Sequence, residues 1–238
     1  MDKIAASRFI TKEFQASEAV KTLRTNLMFS GSNIHAVALT SFSASEGKST
    51  ISFQLAASLA LAGKRVVLVD ADLRKSVLAS RMRVRGRVRG LSHFLSGQAN
   101  ADELLNETDI SGLYIMFAGT RVLNASELLG GENFGKLISA LENVFDYVIV
   151  DAAPAGPVTD CAVMATKLDG VLLVIDTTHN SYKMVRRVKQ QLEMAGAKIL
   201  GVVLNRVDMQ DKNGYYGKAY GYGYGYGEEE KKSTREGG

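Results

Sequence analysis

The sequence predicts an α/β fold, in which a mostly parallel β-sheet is flanked by helices. First, short apolar runs alternate with stretches of helical periodicity along most of the 238 residues, which is the pattern of a parallel sheet. Second, Gly-Lys-Ser-Thr stands at residues 47–50, between one such run and a helical stretch. Third, two later apolar runs end in aspartate, at residues 70 and 151. The carboxyl ends of such strands are where ligands bind in open α/β sheets.

Residues 37–50 have the order of a phosphate-binding loop, or P-loop: an apolar strand, a loop of small residues and then a helix, predicted for residues 51–62. Backbone N–H groups of such a loop bind phosphates, so the fold is expected to be that of a P-loop NTPase. Lys48 would reach the β- and γ-phosphates as an exposed ligand whose replacement leaves the fold intact, and the Ser49 hydroxyl would bind Mg²⁺. The predicted nucleotide contacts of the loop are Ser43, Ala44, Ser45, Glu46, Gly47, Lys48, Ser49 and Thr50.

The match is imperfect, because Phe42 stands where most such loops have their first glycine. The short motif alone therefore leaves open an ordinary strand–helix turn with a solvated lysine.

Upstream of the loop, residues 17–30 have the periodicity of a helix with apolar residues on one face. Ser17 is its expected N-cap. Three charged residues, spaced three apart, form a ridge on another face: Glu18, Lys21 and Arg24. This ridge is either a solvated helix surface or a surface for self-association.

Aspartates follow the two apolar runs that predict strands buried on both faces. Asp70 and Asp72 follow the run at residues 66–69, and Asp151 ends the run at residues 145–151. Carboxylates beside a phosphate loop suit Mg²⁺ binding and proton transfer, and Asp151 has the position of a Walker B aspartate. The predicted catalytic residues are Lys48, Asp70, Asp72 and Asp151, and the predicted metal ligands are Ser49, Asp72 and Asp151. The alternative is that these aspartates are structural.

Arginine occupies every second position from residue 81 to residue 89. In an extended segment, the five guanidinium groups would share one face. Such a face is either solvated or meets an acidic partner, a phosphotyrosine or a membrane surface. The remaining predicted elements are helices at residues 90–105, 124–142 and 181–195, and strands at residues 113–118, 171–175 and 199–204, with Asn124 or Ser126 as a helix cap.

The last segment differs in composition from the rest. Residues 211–238 contain no aliphatic residue larger than alanine, so they predict a flexible Gly/Tyr-rich tail after a domain of residues 1–210. The tail contains six of the nine tyrosines: Tyr215, Tyr216, Tyr220, Tyr222, Tyr224 and Tyr226. It is either a low-complexity segment without enzymatic use or a set of hydroxyl substrates on a flexible connection.

Composition excludes several classes of protein. The net charge of +4 is too small to indicate nucleic acid as a partner. One cysteine, Cys161, excludes an intrachain disulfide and a four-cysteine metal site within the chain, and it is consistent with a reducing cytosol. No run approaches the roughly 20 apolar residues that cross a bilayer, and no signal-peptide pattern is visible.

The sequence resembles the bacterial tyrosine kinases of capsular and extracellular polysaccharide synthesis. The resemblance lies in the order of four features: the P-loop, the Asp-x-Asp strand, the strand ending in Asp151 and the tyrosine-rich tail. Residues 66–74 are similar to the family's Walker A′ segment, and residues 124–129 to its Asn-Pro-x-Glu-Leu-Leu stretch. The resemblance extends over roughly residues 17–226. It implies an ATP- and Mg²⁺-dependent protein-tyrosine autokinase in which Asp70 accepts the proton of the tyrosine hydroxyl. Asn205 stands where related ATPases contact adenine.

The resemblance also implies how the chain assembles and where it works. Unphosphorylated subunits would form a ring, a homo-oligomer held through Glu18, Lys21 and Arg24, and tail tyrosines would enter the neighbouring subunit's site. Phosphorylated tails, with about −1.5 to −2 charges per phosphate, would drive the ring apart, and a cognate tyrosine phosphatase would reverse this. A separate transmembrane activator would recruit the cytoplasmic kinase to the inner face of the cell membrane.

The sequence departs from the family's pattern at two places. The family's loop usually reads Pro-Gly-Glu-Gly-Lys, whereas Ala44 and Ser45 stand here. If residue 45 has a positive φ, serine costs about 1–2 kcal/mol relative to glycine. In the oligomerisation helix, Lys21 replaces an arginine and so loses the bidentate guanidinium fork, which predicts a weaker ring.

Two alternative functions share parts of this pattern. ATPases of chromosome partitioning and division-site placement generally carry a second lysine five residues before the P-loop lysine, but Ser43 occupies that position here. They also usually lack a tyrosine-rich tail. The other alternative is a catalytically weak scaffold for a membrane partner, which the unusual P-loop leaves open.

Overall fold

The computed structural model of the chain describes residues 3–84, 86, 88–156, 159–179 and 181–207. Met1–Asn205 form one compact unit, and of the second, Arg206–Gly238, only residues 206 and 207 are described. The predicted tail with its six tyrosines therefore lies outside the described residues. Among the helices of the described part, none combines the length and apolar character that a membrane span requires.

Seven strands in the described residues form one sheet. They are β1 Ala36–Ser41, β2 Val66–Ala71, β3 Leu105–Glu107, β4 Leu113–Met116, β5 Tyr147–Ala152, β6 Gly170–Asp176 and β7 Ile199–Asn205. Their order across the sheet is β3-β4-β2-β5-β1-β6-β7. Only β3 is antiparallel to its neighbour, and the other pairs are parallel. The predicted fold class is therefore confirmed.

The strand order places the predicted site residues at one edge of the sheet. The P-loop strand β1 lies between β5 and β6, and β2 is the other neighbour of β5. Since these strands are parallel, the P-loop lies beside Asp70 and Asp151, the penultimate residues of β2 and β5. Every residue of β1, β2 and β5 is buried, as their continuous apolar runs predict.

Helices cover both faces of the sheet. They are α1 Phe14–Phe29, α2 Lys48–Leu61, α3 Leu78–Arg81, α4 Leu91–Leu95, α5 Ala125–Gly130, α6 Glu132–Glu142, α7 Asp160–Ala165 and α8 Tyr182–Met194. The first three pack with one hydrophobic core and the last five with the other. Ten of the fourteen residues of α2 are buried, so the helix after the P-loop is held rigidly between the sheet and α1.

The sequence predictions for three helices, at residues 17–30, 124–142 and 90–105, are wrong in their bounds. The first helix starts at Phe14 with Glu13 as N-cap, so Ser17 lies inside the first turn, because Gln15 and Ala16 extend the helical run toward the N-terminus. The helix predicted for residues 124–142 is broken at Gly131, whose extended backbone (φ −67°, ψ 163°) separates α5 from α6. Asn124 is the N-cap position of α5 but makes no capping bond with its side chain.

The segment predicted as a helix at residues 90–105 is mixed instead. It contains α4, a 3₁₀ helix at Ala101–Leu104 and the start of β3. Gly97 follows α4 with φ 74°, the left-handed conformation in which glycine commonly ends a helix.

The arginine run does not form one extended face. Arg81 ends α3, and Arg83 has a left-handed φ of 54°, so the two-residue alternation is interrupted. Arg85 and Arg87 lie outside the described residues. Arg89 pairs with Glu103 at 2.9 Å, and Arg81 donates to the Thr50 hydroxyl at 3.3 Å, which brings one arginine of the run to the end of the P-loop.

Candidate active site

The P-loop has two residues in the left-handed region of φ. Gly47, with φ 89°, is the N-cap residue of α2, and a Cβ there would lie 2.1 Å from Nδ2 of Asn205. Only glycine fits at this position. Ser45 has φ 67°, the positive value at which serine is strained relative to the glycine of the family pattern.

Glu46 braces the loop from within. Its side chain is buried, and its two carboxylate oxygens accept the backbone N–H groups of Phe42 at 3.2 Å and Ser43 at 2.9 Å. The Ser41 hydroxyl donates to the Ser43 carbonyl oxygen at 2.7 Å. The side chain of Glu46, predicted as a nucleotide contact, therefore holds the loop in shape by accepting its amides.

Asn205 connects the far side of the sheet to the P-loop. It ends β7, and its Nδ2 donates to the carbonyl oxygen of Glu46 at 2.8 Å. This bond directs the amide nitrogen toward the loop, so the loop and the end of β7 share one fixed geometry.

Lys48 is buried rather than exposed. Only 6% of the residue is accessible, and its Nζ lies 2.5 Å from Oδ1 of Asp151. The same carboxylate oxygen accepts the Ser52 hydroxyl at 3.1 Å, and Nζ is 3.3 Å from the Ser49 hydroxyl. The prediction of an exposed lysine is wrong because a buried carboxylate on the neighbouring strand attracts the ammonium group. The structure thus brings together Lys48, Ser49 and Asp151.

Asp70 lies beside Asp151, its register partner on the adjacent strand. It is 1% exposed, and it accepts the Ser76 hydroxyl and, at 3.3 Å, the backbone N–H of Asp72. Burial and the nearby negative charge of Asp151 raise the pKa of Asp70 to about 7. A carboxyl group with this pKa exchanges a proton near neutral pH, which is the property of a general base.

Asp72 lies in the turn after β2 and is partly exposed. Its Oδ1 accepts the backbone N–H of Lys75 at 2.9 Å, which stabilises the turn. Arg74 in the same turn contacts the fully buried Asp160 through Nε at 2.6 Å and Nη2 at 2.9 Å. These bonds to Asp160 raise the pKa of Arg74.

Sequence reasoning missed five residues of this region: Ser52, Arg74, Ser76, Ser126 and Asp160. Ser52 could have been predicted from the sequence, because it lies one helical turn after Lys48 and so on the same side of α2. Ser76 lies six positions from its partner Asp70. Arg74, Ser126 and Asp160 join segments that are far apart in the sequence, and the pairing of 74 with 160 has no local signal.

The donor set suits Mg²⁺, although no three acidic, histidine or cysteine side chains converge as a ready-made metal cage within the described residues. Carboxylate and hydroxyl oxygens are the ligands that Mg²⁺ takes from proteins, usually one or two carboxylates supplemented by substrate phosphates. Asp72, Asp151 and the Ser49 hydroxyl fit that requirement. The accumulation of negative charge at Asp70 and Asp151 also favours a cation there.

The charged ridge of α1 is engaged within the chain. Lys21 pairs with Glu18 at 2.6 Å, and Arg24 donates to the Ser58 carbonyl oxygen of α2 at 3.1 Å and to the Ser58 hydroxyl at 3.3 Å. A contact with a neighbouring subunit would have to compete with these bonds.

Comparisons with known proteins agree with this geometry. Residues 37–219 match the family of CobQ/CobB/MinD/ParA nucleotide-binding domains. Tyrosine-protein kinase CpsD of Streptococcus agalactiae is 38% identical over 208 residues, 86% of this chain and 91% of that protein. The kinase domain of Escherichia coli tyrosine kinase ETK superposes with a TM-score of 0.79 at 32% identity, over 84% of this chain and 79% of that one. MinD of Pyrococcus horikoshii, solved with Mg-ADP, shares the fold at 22% identity with a TM-score of 0.62, over 75% and 73% of the two chains.

Proposed function

Since this chain belongs to the bacterial tyrosine kinases, within the CobQ/CobB/MinD/ParA nucleotide-binding family, we propose that it is an autokinase acting on its own tail. It transfers the γ-phosphoryl group of ATP to tyrosine hydroxyls at residues 215–226. The acceptors are Tyr215, Tyr216, Tyr220, Tyr222, Tyr224 and Tyr226. This activity regulates capsular or extracellular polysaccharide synthesis and export.

The observation that carries the proposal is the arrangement of Asp70 in β2, Asp151 in β5 and Lys48 at the start of α2. A carboxyl group with a pKa of about 7 lies beside the carboxylate that holds the P-loop lysine. Phosphoryl transfer requires alignment, charge neutralisation and a group that accepts the hydroxyl proton. Asp70 accepts that proton, and Lys48 leaves Asp151 to contact the phosphates when ATP binds.

The P-loop binds ATP through its backbone amides. Residues 43–50 surround the phosphates, Ser49, Asp72 and Asp151 hold Mg²⁺, and Asn205 contacts adenine. Bound Mg²⁺ neutralises phosphate charge. Glu46 and Asn205 keep the loop in its binding shape through the bonds described above.

Transfer takes place between subunits of a ring. The ridge Glu18, Lys21 and Arg24 forms part of the contact, which is heterologous and closes into a ring. Each tail phosphate adds about −1.5 to −2 charges, so a heavily phosphorylated tail leaves the carboxylate-lined site and loosens the ring. A cognate tyrosine phosphatase resets the cycle.

A separate transmembrane protein of polysaccharide synthesis activates the kinase and brings it from the cytoplasm to the inner face of the cell membrane. Nucleic acid takes no part, in keeping with the small net charge of +4.

The test is intact mass spectrometry with phosphotyrosine detection after incubation of the purified chain with ATP and Mg²⁺. We expect mass increments of one or more phosphates on the tail, absent in Asp70→Asn. ATP hydrolysis without any phosphotyrosine would contradict the proposal and favour a partitioning-type ATPase. Binding of ATP without hydrolysis or transfer would favour a scaffold.

A further inference from the structure

A fully buried carboxylate lies just outside the predicted catalytic and metal-binding residues. Asp160, the first residue of α7, is 0% exposed. Its Oδ2 accepts Arg74 Nε at 2.6 Å and its Oδ1 accepts Arg74 Nη2 at 2.9 Å, a bidentate pair. The Ser126 hydroxyl donates to the same Oδ1. Both carboxylate oxygens have partners within the chain, so this cluster is a structural connection rather than an open binding site.

The cluster joins three segments at the catalytic edge. Arg74 belongs to the turn after β2, Ser126 to the first turn of α5, and Asp160 to the start of α7, the helix that follows β5. Arg74 also donates through Nη1 to the Leu123 carbonyl oxygen at 3.3 Å. In the same turn, the carbonyl oxygen of Leu73 accepts the backbone N–H of Val122 at 3.1 Å. The turn that carries Asp72 is therefore attached through the two residues that follow Asp72, Leu73 and Arg74.

The Asp72 carboxylate is held only locally in the part of the chain that the structure describes. It accepts hydrogen bonds from the backbone N–H groups of Arg74 and Lys75, which belong to its own turn. The position of this carboxylate relative to Asp151 therefore depends on where the whole turn is held. The bidentate pair holds the turn to the first residue of α7, and so it fixes the position of the turn that carries Asp72 relative to the segment that follows β5.

We propose that Arg74, held by Asp160 and Ser126, is a positioning residue that places the Asp72 carboxylate for Mg²⁺–nucleotide binding and phosphoryl transfer. This inference rests on the proposed function, because it concerns the same site. A planar guanidinium suits the task, since two parallel bonds fix orientation as well as distance, which a lysine ammonium cannot do.

The test compares Arg74→Gln, Arg74→Lys and the double variant Arg74→Gln/Asp160→Asn with the wild type. The double variant removes the buried charge that the single variant leaves without a partner, so it separates positioning from stability. The matched control is Arg89→Gln, which breaks the ion pair with Glu103, where both side chains are about half exposed. Thermal unfolding establishes that each variant is folded.

Binding of a fluorescent ADP is titrated in EDTA and then with increasing Mg²⁺, and tyrosine phosphorylation gives kcat and KM for ATP. We expect ADP affinity in EDTA to stay within about threefold of the wild type, because the P-loop is intact. The Mg²⁺ concentration for half-maximal enhancement should rise about 10- to 100-fold and kcat should fall by a similar factor, the usual effect of losing a partner that orients a ligand. Arg74→Lys should fall between the wild type and Arg74→Gln, and Arg89→Gln should match the wild type.

The inference is wrong if the double variant keeps the Mg²⁺ dependence and kcat of the wild type within twofold. It is equally wrong if the variants that fold lose ADP affinity in EDTA as strongly as with Mg²⁺, since that describes general loosening. If the wild type transfers no phosphate to tyrosine, the proposed function fails, and the Mg²⁺ dependence of ADP binding still decides for or against Arg74.

Discussion

Asp70 and Asp151 are register partners on adjacent parallel strands, and both carboxylates are buried at the sheet edge that carries the P-loop. The negative charge of Asp151 disfavours ionisation of Asp70. Asp151 is compensated by Lys48, whose Nζ lies 2.5 Å away, and Asp70 has its pKa raised to about 7. The site therefore stores unfavourable charge in the absence of ATP and Mg²⁺.

This relationship predicts how stability depends on pH. The pKa of Asp70 is raised from 3.8 to about 7 in the folded chain, so between these values the folded state holds a proton that the unfolded state releases. Stability contributed by the protonated group is therefore present below pH 4 and is lost as pH rises to 7. Asp70→Asn should remove that loss and increase the free energy of unfolding at pH 7.5 by up to about 4 kcal/mol, but little at pH 4.

Urea unfolding of wild type and Asp70→Asn at both pH values, without nucleotide or Mg²⁺, measures the difference. Asp102→Asn, at an exposed position of the 3₁₀ helix, is the matched control and should change stability by less than about 0.5 kcal/mol. An Asp70→Asn chain that is as pH-dependent as the wild type between pH 4 and 7.5 would contradict the charge relationship.

The strained backbone at Ser45 predicts that two glycine substitutions in the P-loop have opposite effects on stability. Ser45→Gly relieves a φ of 67° and should stabilise the chain by about 1 kcal/mol while tightening ADP binding. Ala44→Gly, at the neighbouring exposed position without a positive φ, should destabilise by about 0.5–1 kcal/mol through added freedom of the unfolded chain. Thermal unfolding and ADP titration of both variants provide the test. If Ser45→Gly destabilises the chain as Ala44→Gly does, residue 45 carries no strain.

The brace inside the loop predicts a specific loss in Glu46→Gln. Glutamine replaces one carboxylate oxygen by an NH₂ group that faces a backbone N–H, so one of the two bonds at 2.9 and 3.2 Å is lost. We expect a loss of about 1–3 kcal/mol in stability and weaker binding of ADP. The control Glu132→Gln, at an exposed pair with Lys136, should leave both unchanged. Unchanged ADP affinity in Glu46→Gln would mean that the carboxylate does not shape the loop.

The ridge on α1 predicts a graded effect on assembly. Replacing Glu18, Lys21 and Arg24 together by alanine should leave a folded monomer, and Lys21→Arg should tighten the ring by restoring the bidentate fork. Light scattering of unphosphorylated protein at low and moderate salt gives the mass of each form. If the wild type is monomeric at both salt concentrations, or if the alanine variant keeps the same ring, the ridge is not the assembly surface. It then serves only contacts within the chain, Lys21 with Glu18 and Arg24 with Ser58.

Much of this architecture could be predicted because it depends on local pattern. The buried strands that contain Asp70 and Asp151 follow from unbroken apolar runs. The family's glycine raised the question of a positive φ at residue 45, and the φ of Ser45 is indeed 67°. The burial of Lys48 did not follow, because its partner is 103 positions away in the sequence. The pair of Arg74 with Asp160, 86 positions apart, was missed for the same reason. The break at Gly131 was missed because the hydrophobic periodicity continues from α5 into α6, although the extended backbone of Gly131 separates the two helices.

The most direct test of the central claim is a mixing experiment with two defective chains. One chain carries Lys48→Met, which removes the P-loop lysine, and thermal unfolding establishes that it stays folded although its partner Asp151 is buried. The other carries phenylalanine at all six tail tyrosines and keeps an intact site. With ATP and Mg²⁺, neither chain alone should gain phosphate on its tail, whereas the mixture should place phosphate on the tail of the Lys48→Met chain, as resolved by intact mass. A mixture in which that tail stays unmodified, although the second chain binds ATP, would contradict tyrosine transfer between subunits.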